Sequence, residues 1–342
     1  MLDVVLADFS FEIMVSVVID DVVSQFGNPQ RRLFFGYLFL ALGISVLWVH
    51  YKTRLGLIGA VSKVFAKEIW LSRSSRFDLI CFAINRVIFS LLQPVLITQL
   101  LVATIIFQLL HKQVLLPLGA LEYAPYWFAA SSFSIFYFLL DDLTRFLLHY
   151  LLHRMPILWE FHKTHHSATT LTPLTVTRTH PIEGVLFIIR TTVTQGIAIA
   201  LFVALFGAKA DLITIFGVNI FMLVFHSLGS NLRHSHIPIK YPRLVESLFI
   251  SPAQHQLHHS KSKQHFDKNF GVVLSVWDRM LGTFHYSVDD EIIFGLGKSD
   301  DKYTASIWTL YLQPFIGAWA CIRNLWLQAI PKIGDGGGNS DV

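Results

Sequence analysis

DDLTRFLLHYLLHRMPILWEFHKTHHS, residues 141–167, is the stretch on which the reading of this 342-residue chain turns. It holds an HxxxH, His149 and His153, and then an HxxHH made of His162, His165 and His166. A second HxxHH follows about ninety residues on, His255, His258 and His259 in SPAQHQLHHS (251–260). Spacings of three and four place side chains on one helical face, so each triplet presents three imidazoles toward a common point. Those are metal-ligand spacings, because neutral imidazole is a good donor to first-row metals. With 16 histidines in the chain, random placement gives roughly 0.04 HxxHH matches per sequence. A wet, histidine-rich surface face is the bland alternative, and two such triplets beside an HxxxH argue against it.

Working outward, the surroundings are apolar. Hydrophobic residues make up 53% of the chain and charged residues 15%, with a mean hydropathy of +0.53. That exceeds what a water-soluble core hides, so lipid is expected to be part of the solvent. Apolar runs from Leu33 to Val49, Phe77 to Leu110, Ala124 to Leu140, Val185 to Phe206 and Leu212 to Leu228 are each long enough to approach or cross a bilayer as helix. The second reads as one tilted span or a re-entrant pair. The fold expected is an all-α integral membrane protein, with four to six membrane helices and a cytoplasm-facing histidine-rich helical cap. Acidic residues Asp3, Asp8 and Glu12 stand where a secretory signal would be basic, so targeting is expected to rest on the internal spans. Cys81 and Cys321 lie far apart in apolar sequence and read as packing residues.

Two histidine-rich polar stretches, Leu143 to Glu183 and Asn231 to His285, are separated by two apolar runs joined at Gly207 to Asp211. A hairpin of two spans returns the chain to the side it left. Arg145, Arg154, Lys163 and Arg178 in the first stretch, and Arg233, Lys240, Arg243, Lys261, Lys263 and Lys268 in the second, put both on the cytoplasmic face. The net charge of +4 is spread over loops beside spans, which suits anionic headgroups and not nucleic acid. Three regions result: residues 1–123 as a membrane anchor, 124–290 as the catalytic unit, and 291–342 as an amphipathic or membrane helix with a disordered tail from Gly334. The helix, Ile307 to Ile330, carries Trp308, Tyr311, Trp319 and Trp326 and either spans or lies along the interface.

Other histidines are less determined. His234 and His236 in NLRHSH, and His226 before them, are each a ligand or a hydrogen-bonded interfacial residue. His180 in THPIE is a ligand or a partner of Glu183. His50, His111, His265 and His285 lack partners at ligand spacing and read as structural. Asp141, Asp142, Glu160, Glu183, Asp267 and Asp278 are candidates to orient imidazoles, with Asp142 favoured because it lies two helical turns before His149.

DDLTRFLLHYLLHR with PILWEFHKTHHS, THPIE, SPAQHQLHHS and NFGVVLSVWDRMLGT resembles the fatty acid hydroxylase/sterol desaturase superfamily over roughly residues 125 to 290. The extra histidines between the second and third motifs are spaced differently from those of the yeast-type fatty acid hydroxylases. The resemblance implies that His149, His153, His162, His165, His166, His255, His258 and His259 are metal ligands and the catalytic set, joined by histidines of NLRHSH, His234 and His236. It further implies two iron ions, with zinc an alternative occupant, and dioxygen-dependent hydroxylation or desaturation of a sterol, fatty acyl or ether lipid. No flavin, nicotinamide, Cys-cluster or fused haem motif accompanies the histidines, so an external electron donor, a separate redox partner, is expected. Without an endoplasmic-reticulum retrieval tail, a bacterial inner membrane is the expected location. Two other classes remain: a zinc-dependent membrane hydrolase, and a non-enzymatic metal transporter or histidine-ligated haem protein.

Overall fold

A computed structural model describes residues 11–92, 98–112, 118–207, 220–297 and 302–329. The acidic N-terminal residues before 11, the 208–211 connection, the first part of the Leu212–Leu228 run and the glycine-rich tail lie outside the described residues. What is described is mostly helical, with no strand among the described residues and two isolated bridges, Phe249 to Leu274 and Ser260 to Phe294.

In chain order the helices that matter are α1 (Phe11–Gly27), α2 (Phe35–Thr53), α3 (Leu57–Val64), α4 (Arg73–Leu92), α5 (Gln99–Lys112), α6 (Tyr126–Arg154), α7 (Pro156–His166), α8 (Pro181–Phe206), α9 (Ile220–Ser227), α10 (Pro252–His258), α11 (Val276–Leu281) and α12 (Ile307–Ala329). The run from Phe77 to Leu110 is thus divided between α4 and α5. Two described helices, α2 and α8, are long and apolar enough to cross a membrane by length and composition. The others fall short for visible reasons: α6 carries Asp141, Asp142, Arg145 and Arg154 in its second half, and α4 carries Arg73, Arg76, Asp78 and Arg86. On α12, Trp308, Trp319 and Trp326 are all exposed.

Three prolines set the corners. The residue before a proline is driven out of helical conformation, whereas proline itself is well placed in a first turn. Met155 accordingly turns extended (φ −94°, ψ 115°) and Pro156 opens α7, folding HKTHH back against HxxxH. His180 and Pro181 repeat the device at the start of α8, and Ser251 and Pro252 at the start of α10. Ser251 adds a capping box, its hydroxyl accepting from Gln254 N while the Gln254 side chain accepts from Ser251 N.

Behind these corners α8 packs closely on α5 and α6 through small residues. Ala129, Phe133, Ala198, Phe202 and Phe206 form one buried cluster. A Cβ at Gly196 would meet Val102 Cγ1 at 2.6 Å, so only glycine permits that approach of α8 to α5. Ala41 and Val49 of α2 and Ala60 and Val64 of α3 pack on Leu232, Ile237 and Ile239, holding down the segment that carries NLRHSH. Cys81 is buried with Tyr303 and Leu310, and Cys321 is half-buried; both thiols are free.

Candidate metal centre

The corners bring nine histidines into two adjoining groups. His149, His153, His162, His166 and His258 form one, and His165, His234, His255 and His259 the other; within each group the facing atoms lie within 4.8 Å of one another. Helical geometry explains the division. On α7 the pair four apart, His162 and His166, faces the first group while His165 faces the second. At α10 the shares reverse, with His255 and His259 in the second group and His258 in the first. The groups touch, since the rings of His166 and His259 stack at 4.5 Å between centroids.

The donor atoms have the character of a metal site. The Nε2 atoms of His153, His162, His166, His258 and His259 are buried with no protein partner, which is costly for a polar atom unless a ligand satisfies it. In the second group His234 Nε2 lies 3.1 Å from His165 Nε2 and 3.0 Å from His255 Nε2. Octahedral bonds of about 2.1 Å put neighbouring donors about 3.0 Å apart. Burial pushes the His162 and His165 imidazoles down to about 3, and His234, His255, His258 and His259 also fall well below the ordinary value. All are therefore neutral at pH 7, the form that binds metal.

The opposite ring nitrogens are anchored. His149 Nδ1 donates to the Phe270 carbonyl at 2.8 Å and His258 Nδ1 to the Lys268 carbonyl at 2.8 Å, which leaves the Nε2 lone pairs turned inward. His153 Nδ1 sits 3.7 Å from Asp267 Oδ1. Glu183 Oε1 lies 3.1 Å from His162 Nδ1, out of line for a hydrogen bond, and its Oε2 is buried without a partner. Glu183→Gln is expected to weaken metal retention by about 10- to 100-fold, the usual cost of losing a carboxylate behind a ligand; competition with a chelator measures it.

The structure brings together all eight histidines of the three motifs and adds His234. It does not bring His236. Gln256 Nε2 holds the carbonyls of Leu232, Ser235 and Ile237 at 3.1, 2.9 and 3.0 Å, drawing the chain past the cluster. His236 is carried to α3, where it faces the Lys63 carbonyl. His226 stands apart too, with Nδ1 2.7 Å from Ser230 Oγ and its ring against Tyr37. His180 is a helix cap, accepting from Ile182 N at 3.1 Å through Nδ1 and donating to the Tyr311 carbonyl through Nε2 at 3.1 Å.

Asp142 touches no imidazole, contrary to the reading from its helical spacing. It accepts from Val273 N, Leu274 N and Trp277 Nε1, each at 3.0 Å, and so fixes the segment whose Phe270 carbonyl orients His149. Asp142→Ala leaves three donors without their acceptor, one buried and two part-buried. At about 1–3 kcal/mol apiece, a loss of several kcal/mol is expected, seen as a lower melting temperature together with reduced metal per chain. Two contributors had no signal in the sequence: the carbonyl of Lys268, and Arg32, whose guanidinium lies 3.2 Å from His234 Nδ1.

A cavity of about 800 Å3 opens onto both groups, reaching His149, His162, His165, His234 and His255. Its walls include Leu33, Phe89, Phe187, Ile188 and Phe225. Residues 1–123 thus supply part of the chamber. A chamber of this size and apolarity suits a ligand of lipid dimensions.

The family model for fatty acid hydroxylase matches residues 134–283, a range that contains all nine clustered histidines. Residues 134–283, less than half of the chain, are thus similar to the fatty acid hydroxylase family. An alkylglycerol monooxygenase from Danio rerio is 30% identical over 184 residues, 53% of this chain and 36% of its own. An ornithine lipid hydroxylase from Rhizobium tropici is 29% identical over 146 residues, 41% of this chain and 38% of its own. A Delta(7)-sterol 5(6)-desaturase from Eremothecium gossypii is 28% identical over 171 residues, 49% of this chain and 41% of its own. The chain spans between a third and about two fifths of the length of these relatives. No solved structure is a significant match.

Proposed function

We propose that this chain is a membrane-bound, dioxygen-dependent oxidoreductase that hydroxylates or desaturates a lipid at two metal ions held by the nine histidines. The observation that carries the reading is the division of those histidines into two adjoining groups, with five inward Nε2 atoms, those of His153, His162, His166, His258 and His259, buried without a protein partner. The curated relatives, named as a monooxygenase, a hydroxylase and a desaturase, point to the same reaction class. Iron fits a donor set of neutral imidazoles and when bound supplies the reduction of dioxygen that breaking an unactivated C–H bond requires.

The chain's own residues do the rest. Carbonyls of Phe270 and Lys268 keep the protons of His149 and His258 on Nδ1. Burial of the cluster limits water, and the apolar cavity walls hold the lipid chain against the histidines. In hydroxylation one oxygen atom enters the C–H bond and the other leaves as water, with two electrons and two protons drawn from a separate redox partner. In desaturation the same two electrons arrive, two hydrogens leave the lipid, and both oxygen atoms become water. In this reading α2 and α8 are among the segments that cross the bilayer, the chain returns after α8, and the basic loops keep both histidine groups on the cytoplasmic face of a bacterial inner membrane.

Comparative lipidomics of cells with and without the gene tests the proposal. A lipid richer by one oxygen, or poorer by two hydrogens, is expected only where the gene is expressed. Products of water addition across an ester or amide would instead support metal-assisted hydrolysis.

A further inference from the structure

The cavity beside the histidines is lined by five arginines, Arg31, Arg32, Arg86, Arg145 and Arg233, against two carboxylates, Asp21 and Glu183. Three of the five have partners. Asp21 takes Arg86 at 3.2 Å and Arg31 at 4.0 Å, and Asp141, behind the wall, takes Arg145 at 2.8 Å. Arg32 and Arg233 have no carboxylate within ion-pair distance among the described residues. Arg32 spends its donors on Asn231 Oδ1, the Ser230 carbonyl and His234 Nδ1. Arg233 is 4% exposed, donates one Nη to the Val272 carbonyl, lies over the Phe225 ring, and leaves Nε buried without a partner. Asp142, whose field reaches Arg233, already accepts three hydrogen bonds.

Arg233 is buried and Arg32 half-buried; a guanidinium held from water without a counter-charge is expensive, and planar forks of this kind are suited to carboxylate and phosphate. Placed on the wall of a cavity, such groups expect their anion from the ligand. Resting on the oxidase reading above, we infer that the substrate is an amphiphile whose polar end carries a phosphate or carboxylate, seated on Arg32 and Arg233. Because Arg32 touches His234, the polar end lies next to the histidines, and oxidation falls among the carbons near the headgroup. An uncharged sterol or alkyl ether leaves both arginines unanswered.

Equilibrium binding to the metal-loaded, full-length protein in uncharged maltoside detergent tests this, under nitrogen and without reductant so that no turnover occurs. The probes are dodecyl phosphate, the uncharged 1-dodecylglycerol and inorganic phosphate. Dodecyl phosphate is expected to bind at least ~10-fold more tightly than dodecylglycerol, given that charge-assisted hydrogen bonds are worth about twice neutral ones. Arg233→Gln and Arg32→Gln are each expected to weaken dodecyl phosphate by about 10- to 100-fold, the scale of one hydrogen bond to a charged group, with dodecylglycerol changed less than about twofold. Should a glutamine variant fail to fold, the wild-type comparison and Arg233→Lys, which keeps the charge and retains the preference, decide the matter. Equal affinity of the wild-type protein for the two amphiphiles overturns the inference, as does displacement of dodecyl phosphate by equimolar inorganic phosphate. The oxidase reading survives either failure, because its test is the appearance of an oxidised lipid.

Discussion

Alanine at His165 and alanine at His166 are expected to silence the enzyme through different ions, although the two residues are neighbours in sequence. His166 belongs to the group with His149, His153, His162 and His258, whereas His165 belongs with His234, His255 and His259. If the proposed two-ion reading holds, each variant should retain close to one metal ion per chain, against two for the wild type. Turnover should drop by on the order of 10³-fold, as when one preorganised catalytic group is removed. Because the two groups act as a unit, the double variant should be hardly worse than either single one. The smaller group should also be the more sensitive. It has four donors, all buried, so loss of His255 or His259 removes a quarter of the set. His153, one of five and bordered by Asp267 at the surface edge, should be the most forgiving position. Metal analysis by mass spectrometry, run beside the activity assay, separates these outcomes.

The second large effect concerns a buried ion pair away from the metal. Arg178 is 1% exposed and Asp78 0%, and their closest atoms are 3.3 Å apart. Arg178 also donates to Ser167 Oγ at 2.8 Å, the Thr164 carbonyl at 3.3 Å and the Ser74 carbonyl at 3.3 Å. Asp78 in turn accepts from Thr175 Oγ1 at 2.6 Å and Thr172 Oγ1 at 3.3 Å. The pair therefore ties α4 to the whole connection between α7 and α8. Removing one partner strands a buried charge, and the expected cost of Arg178→Ala or Asp78→Ala is about 3–5 kcal/mol. Replacing both at once, with Arg178→Met and Asp78→Ala, should be less harmful than either single change, since no charge is left unpaired. Thermal unfolding monitored in detergent reads the order directly. The same variants should loosen metal binding, because His162, His165, His166 and Glu183 hang on the two ends of that connection.

These contrasts indicate what the sequence could and could not disclose. Eight of the nine clustered histidines were legible because a helix converts spacings of three and four into a shared face, whatever the rest of the fold does. His234 and His236 were not separable, since the choice depends on Gln256 gathering three carbonyls from the chain between Leu232 and Ile237. Helical periodicity misled at Asp142, which is two turns from His149 but aims at backbone donors of the 273–274 segment. Apolar runs announced the helices, yet α4 and α6 mix them with charges that bind neighbouring elements, so among the described residues two helices, α2 and α8, are long and apolar enough to cross a membrane. Arg32 lies in sequence with no motif around it, and Arg178 stands just outside THPIE. Their roles arise from contacts across 202 and 100 residues of chain, respectively.

The most direct test of the account is isotope tracing with ¹⁸O₂, using the iron-loaded protein, an external reductant and the lipid identified by comparing cells with and without the gene. The account predicts a hydroxylated product carrying one ¹⁸O atom, or a desaturated product formed only when dioxygen is present, with neither formed by a His165→Ala variant. Undiminished conversion of the lipid under strict anaerobiosis would contradict it.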